Sequence, residues 1–98
     1  MKIDKFVGKL KGIEDKFGIS PMALMVLDFV FKEQRKGKVT IMQVLNGFNQ
    51  TSPATTHMHL KTLITKKILN SKFDQVDGRQ KVLSNGFKLD ALISYVEE

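Results

Sequence analysis

A mainly α fold with one small β-hairpin is predicted by three features of the sequence. The steps Ser20-Pro21 and Ser52-Pro53 each mark a helix start, Thr40 and Gln43 have the spacing of a capping box, and Asp77-Gly78 lies between two short runs that contain apolar residues. In order these features read helix, helix, short strand, helix, helix, hairpin, helix, which is the arrangement of a winged helix-turn-helix.

The size fits one such unit. With 98 residues, 42% hydrophobic and 27% charged, the chain suits a single domain over 1–98 with a modest core. It has no stretch of eighteen apolar residues and no leader pattern, so a soluble, cytoplasmic protein with no membrane partner is expected. The absence of cysteine excludes disulfides and thiolate chemistry.

Taking the elements in turn, Ile3, Phe6, Val7, Leu10, Ile13 and Phe17 recur at three and four residues, with lysines and acids between them. They define an amphipathic first helix ending near Gly18, which Gly8 and Gly12 weaken by about 1 kcal/mol each relative to alanine. The second helix starts at Pro21 and is apolar almost all round from Met22 to Phe31, broken only by Asp28, so it is central. It should finish before Gly37. Met22, Met25 and Met42 read as flexible core filling.

Val39 is expected in a short strand. The capping box then starts a short helix from Ile41 to Asn46, closed by Gly47, and a tight turn leads to the helix that begins at Pro53. On a helical wheel Thr56, Leu60, Leu63, Ile64 and Lys67 fall on one side of that helix, while Ala54, His57, Met58, Lys61, Thr62 and Thr65 fall on the other. The first set should be core. The second is short, polar and basic, with no acid.

Between the two strands, a two-residue type I′ turn at Asp77-Gly78 would pair Val76 with Arg79, Asp74 with Lys81 and Phe73 with Val82. The basic hairpin beside the helix-turn-helix would form a wing. Phe87, Leu89, Leu92, Ile93 and Val96 mark a last helix, whose end at Glu97 and Glu98 is too acidic for a nucleic-acid contact.

Charge distribution points to a partner. The net charge is +6, and residues 38–81 carry seven basic and two acidic side chains, whereas residues 82–98 carry one and three. A basic surplus around the outward helix is what phosphate neutralisation on double-stranded DNA requires; the plainer reading is lysines that aid solubility. Lys61, Lys66, Lys67, Lys72 and Lys81 are candidate phosphate contacts, Arg79 is a candidate for the minor groove, and Met58 reads either as a contact with a thymine methyl group or as packing under the wing. His57 reads either as a base or phosphate contact or as a solvated surface side chain.

His57 and His59 differ by about 200° on a helix and cannot act as neighbouring ligands of one ion, so no metal site is expected. No nucleophile–base pair, glycine-rich phosphate loop or metal-binding helix motif is present, so the expected action is binding, without a cofactor. Two other readings share the fold: a winged helix that packs on a protein partner, and a replication or partition protein with the same DNA chemistry.

From Val39 to Leu83 the sequence resembles the winged helix-turn-helix domain of MarR-type transcriptional regulators. Leu60-x-x-Leu63 followed by Lys66-Lys67-Ile68-Leu69 is similar to the end of that family's recognition helix, and Asp77-Gly78-Arg79 to its Asp-x-Arg wing motif. Lys67 stands where the family usually has glycine. The resemblance implies that Arg79 contacts DNA with Asp77 orienting it, and that Ser52, Ala54, Thr55, His57, Met58 and Lys61 lie where the helix reads bases or phosphates. It also implies a homodimer built from the first and last helices, placing two recognition helices on a pseudo-palindromic site. It assigns no small-molecule effector.

Overall fold

Each helix start marked by serine, threonine and proline is present in the computed structural model, which describes residues 2–98. The order is α1 (Lys2–Phe17), α2 (Pro21–Gln34), α3 (Ile41–Gly47), α4 (Pro53–Thr65), β1 (Leu69–Phe73), β2 (Lys81–Asn85) and α5 (Leu89–Glu97). Ser20 and Ser52 cap α2 and α4 by accepting from the Ala23 and Thr55 backbone N–H groups, and proline follows each cap at the first helical position, where no N–H is needed. At α3 the capping box is complete: the Gln43 N–H donates to Thr40 Oγ1 over 3.2 Å, and the Thr40 N–H donates to Gln43 Oε1 over 2.7 Å.

The core is assembled mainly from α2, α3, α4 and the hairpin, and Ile13 of α1 and Leu89 and Leu92 of α5 join it. Ile19, Val26, Val30, Val44, Leu60, Leu63 and Ile68 are fully enclosed, with Phe48 edge-on to Phe29 beneath the turn between α3 and α4. Met25 and Met42 are corrections to the core-filling expectation: they are 45% and 58% exposed, and only Met22 packs against the core. On α2 the interior is filled by Ala23, Val26, Leu27 and Val30 and on α3 by Val44, which leaves these two methionines on the outer sides of their helices.

The first helix is divided. Ile13 is buried, whereas residues 2–8 are all exposed, including Ile3 and Phe6 at more than three-fifths of their surface. Its second half lies on α5 through Tyr95, whose ring meets Phe17 and takes the Lys9 and Lys16 ammonium groups over its faces at 4.3 and 4.7 Å. Gly12 makes this approach possible, because a Cβ there would fall on the Tyr95 hydroxyl. The glycine that weakens the helix is the one that seats the tyrosine.

The hairpin differs from the expected register by one residue. Phe73 pairs with Lys81, Lys72 with Val82, Ser71 with Leu83 and Leu69 with Asn85. Paired residues share a face, so this register puts Leu69 and Leu83, 1% and 3% exposed, on the same side. The expected pairing would set Leu83 across from Lys72 and send one of the two leucines into solvent. Burial of both overrides the Asp77-Gly78 turn preference, and residues 74–80 form a longer loop in which the Gln80 N–H donates to the Asp77 carbonyl. Asp77 opens that turn rather than centring it.

At Val39 there is no strand, only an isolated bridge of Thr40 with Val82 and a bond from the Leu83 N–H to the Val39 carbonyl. Phe87 precedes α5 and is 77% exposed, not part of its apolar face. The junction between α4 and α5 is tight. Gly86 donates to the Ile68 carbonyl and Lys88 to the Lys67 carbonyl, and a Cβ on Gly86 would come within 2.1 Å of the Lys67 oxygen.

Candidate nucleic-acid interface

The exposed surface of α4 is the complement of its buried face. Thr56, Leu60 and Leu63 are at 0% exposure, and Ile64 packs against the core, so the helix cannot rotate without exposing them. Lys67 departs from the expected core set: it is exposed, beyond the helix end, at φ 66°. That left-handed conformation is the one glycine adopts without cost, and here a lysine adopts it.

Ala54, His57, Met58, Lys61, Thr62, Thr65 and Lys66 line one shallow groove on the opposite side. Ala54, His57, Met58 and Lys61 are exposed, while Thr55 and Thr62 are half-buried. Ser52 is exposed and held at the cap, its hydroxyl donating to Thr55 Oγ1 over 3.1 Å. Thr62 Oγ1 donates to the Met58 carbonyl over 3.2 Å. Nothing on this face is acidic, so its potential is set by the two lysines.

A second cleft joins α4 to the wing. His57 borders it together with Thr40, Ile41, Met42, Phe73, Arg79, Gln80 and Lys81. His57 is therefore common to both depressions, and the groove of α4 runs on towards the two wing cations. The Lys81 ammonium stands 5.2 Å from the Phe73 ring centre, so the pairing with Asp74 expected from sequence is replaced by a cation–ring contact. Met42 and Phe73, 58% and 62% exposed, line this cleft and were not among the sequence candidates. No local signal in the sequence marks either of them, because large apolar residues are assigned inward by default.

The wing tip is held by aspartates. Asp77 Oδ1 accepts from the Arg79 N–H at 3.1 Å and from Arg79 Nε at 3.4 Å, while the rest of the Arg79 side chain is open to solvent. Asp74 accepts from the Val76 N–H and from Lys38 Nζ, at 3.1 and 3.2 Å. These two donors, the backbone one first, hold its carboxyl below the usual carboxylate range.

Two of the basic candidates stand apart. Lys72 lines neither cleft, and Lys67 lines a separate depression behind the hairpin with Ile64, Asn70, Asn85 and Phe87. Among the described residues there is no group of three or more acids and histidines placed to hold a metal ion, and no helix is long and apolar enough to cross a membrane.

No protein-family model and no curated protein sequence matches the chain. Solved structures do. A mutant of MepR from S. aureus bound to an oligodeoxyribonucleotide is similar at TM-score 0.75 and 18% identity, over 98% of this chain and 67% of that one. A second MepR–DNA complex is similar at TM-score 0.71 and 21% identity, over 99% and 74% of the two chains. The transcriptional regulator Tm0710 from Thermotoga maritima follows at TM-score 0.66 and 22% identity, over 98% and 66%. With five helices and a two-stranded hairpin among the described residues, and likeness along nearly its whole length, this chain has the winged helix-turn-helix fold.

Proposed function

We propose that this chain is a MarR-type regulator of transcription that binds double-stranded DNA sequence-specifically as a homodimer. The observation that carries the reading is the continuity of the acid-free face of α4 with the cleft holding Arg79 and Lys81, His57 belonging to both. A helix for the major groove and a cation for the neighbouring minor groove are thereby presented together. The likeness to two MepR complexes with DNA supports it.

In this reading Lys61, Lys66 and Lys81 neutralise phosphates, Ser52 and Thr55 lie at the phosphate-facing start of the helix, and Ala54, His57, Met58 and Thr62 face bases. Asp77 steers Arg79. Lys72 contributes through the general basic field. The action is occupancy of promoter DNA, with no covalent step.

The homodimer is supported by apolar surface left outside the core. Ile3, Phe6 and Val7 on α1 and Ile93 and Val96 on α5 are all exposed. A mostly apolar groove between α2 and α5 is lined by Leu24, Leu27, Phe31, Ile93 and Val96, with Asp28 and Glu97 also bordering it.

The test is a salt titration of binding to genomic and random duplexes. The slope of log affinity against log salt should be steep, Lys61→Ala should reduce it by about 0.9, the contribution of one phosphate on B-DNA, and Arg79→Ala should weaken binding. Selection from a random library should return a palindromic motif. Absence of binding at low salt would instead favour a winged helix that packs on a protein.

A further inference from the structure

Between residues 51 and 65 there is no arginine, asparagine or glutamine. The side chains that form paired hydrogen bonds with adenine are therefore missing from α4, and Lys61 is its only long donor towards guanine. Hydroxyls are weak replacements, because a single O–H bonds to more than one base; Thr55 and Thr65 keep theirs, and two others are already in use. Ser52 Oγ donates to Thr55, and Thr62 Oγ1 donates to the Met58 carbonyl, so both protons are already engaged.

Among these polar and basic side chains the outward face of α4 also carries two apolar ones. Met58 is 54% exposed, and Ala54, one helical turn before it, lines the same groove. His57 and Lys61 flank them, which brings a phosphate-bearing duplex rather than an apolar protein surface to this face. The C5-methyl of thymine is the apolar group that a major groove offers, and an unbranched thioether chain can adapt to it.

We propose that Met58, with Ala54 beside it, selects thymine in the major groove through its C5-methyl group. This rests on the DNA-binding reading above. Sequence preference on α4 then comes from methyl contact, with Lys61 supplying guanine or phosphate attraction, and the preferred half-site contains thymine at one or two fixed positions.

The experiment uses the full chain and a duplex it selects from a random library, in which thymines are replaced by uracil one position at a time. Uracil removes only the methyl and keeps the hydrogen-bonding edge. Affinity should fall about fourfold at each contacted thymine, the factor expected from losing one buried methyl, and stay level elsewhere. Met58→Ala should bind thymine and uracil duplexes alike, and Met58→Leu should keep the difference. Both variants change an exposed side chain, and equal melting midpoints would verify that the fold is intact.

Wild-type binding that is indifferent to uracil at every position, with the salt slope intact, overturns methyl selection and leaves DNA binding standing. A Met58→Ala protein that keeps the preference for thymine overturns the assignment to Met58. A selection that returns no consensus overturns sequence reading by this face, and failure to bind any duplex at low salt overturns the DNA reading together with the inference.

Discussion

The helix α4 and the wing serve one surface but are held by opposite means. Three residues of α4 at 0% exposure clamp it into the core, so the position of its outward face follows from packing. The wing loop of residues 74–80 hangs from a short two-stranded ladder and the aspartate bonds at Asp74 and Asp77, with Arg79 almost fully in solvent. In the proposed reading the difference separates two tasks. A clamped helix can discriminate among bases, because misplacement costs burial, whereas a loosely tethered cation can follow a groove of variable width.

The contrast can be broken from the helix side most strongly. Leu60→Ala should cost about 2–5 kcal/mol of stability, read from urea unfolding, and should weaken DNA binding with it, because the cavity lies directly under the reading face. Gly86→Ala acts at the root of the wing: its Cβ would press on the Lys67 carbonyl, so a loss of about 1–3 kcal/mol is expected in the same measurement. Lys67→Gly sharpens the comparison in the other direction. It removes the cost of a left-handed lysine and should raise stability by about 1 kcal/mol while leaving binding nearly unchanged.

The smallest effect concerns the wing alone. The carboxyl of Asp74 is held below the usual range in the folded chain, so its contribution is present above that range and fades as pH falls through the lowered folded value. Acidification should therefore loosen the start of the loop before the body unfolds, seen as shifts of the Val76 and Asp77 amide resonances. Asp74→Asn should reproduce those shifts at neutral pH, and unchanged spectra would show that the tether does not hold the loop.

Local chemistry was enough for most of the fold. Ser20, Thr40 and Ser52 announce helix starts because a cap is a contact among residues three apart, visible in any window of the sequence. The outward face of α4 was legible as the remainder once Thr56, Leu60 and Leu63 were given to the core. The hairpin register was not, because Asp77-Gly78 is a strong local signal and the requirement that defeats it links residues fourteen positions apart. A parity check would have found it: Leu69 and Leu83 can share a face only if paired residue numbers have an even sum, and the expected pairing made it odd. Met42 and Phe73 escaped for a related reason, since large apolar residues are assigned inward by default and these two line the cleft beside the wing.

The bonds from Gly86 and Lys88 to the carbonyls of Ile68 and Lys67 join the root of α5 to the segment just beyond α4, by two backbone contacts with no room for a side chain. Such a weld leaves little mechanical slack. A tilt of α5 would pull on the segment just beyond α4, so in the proposed dimer the spacing of two reading heads would be governed by how the arms that carry them are seated.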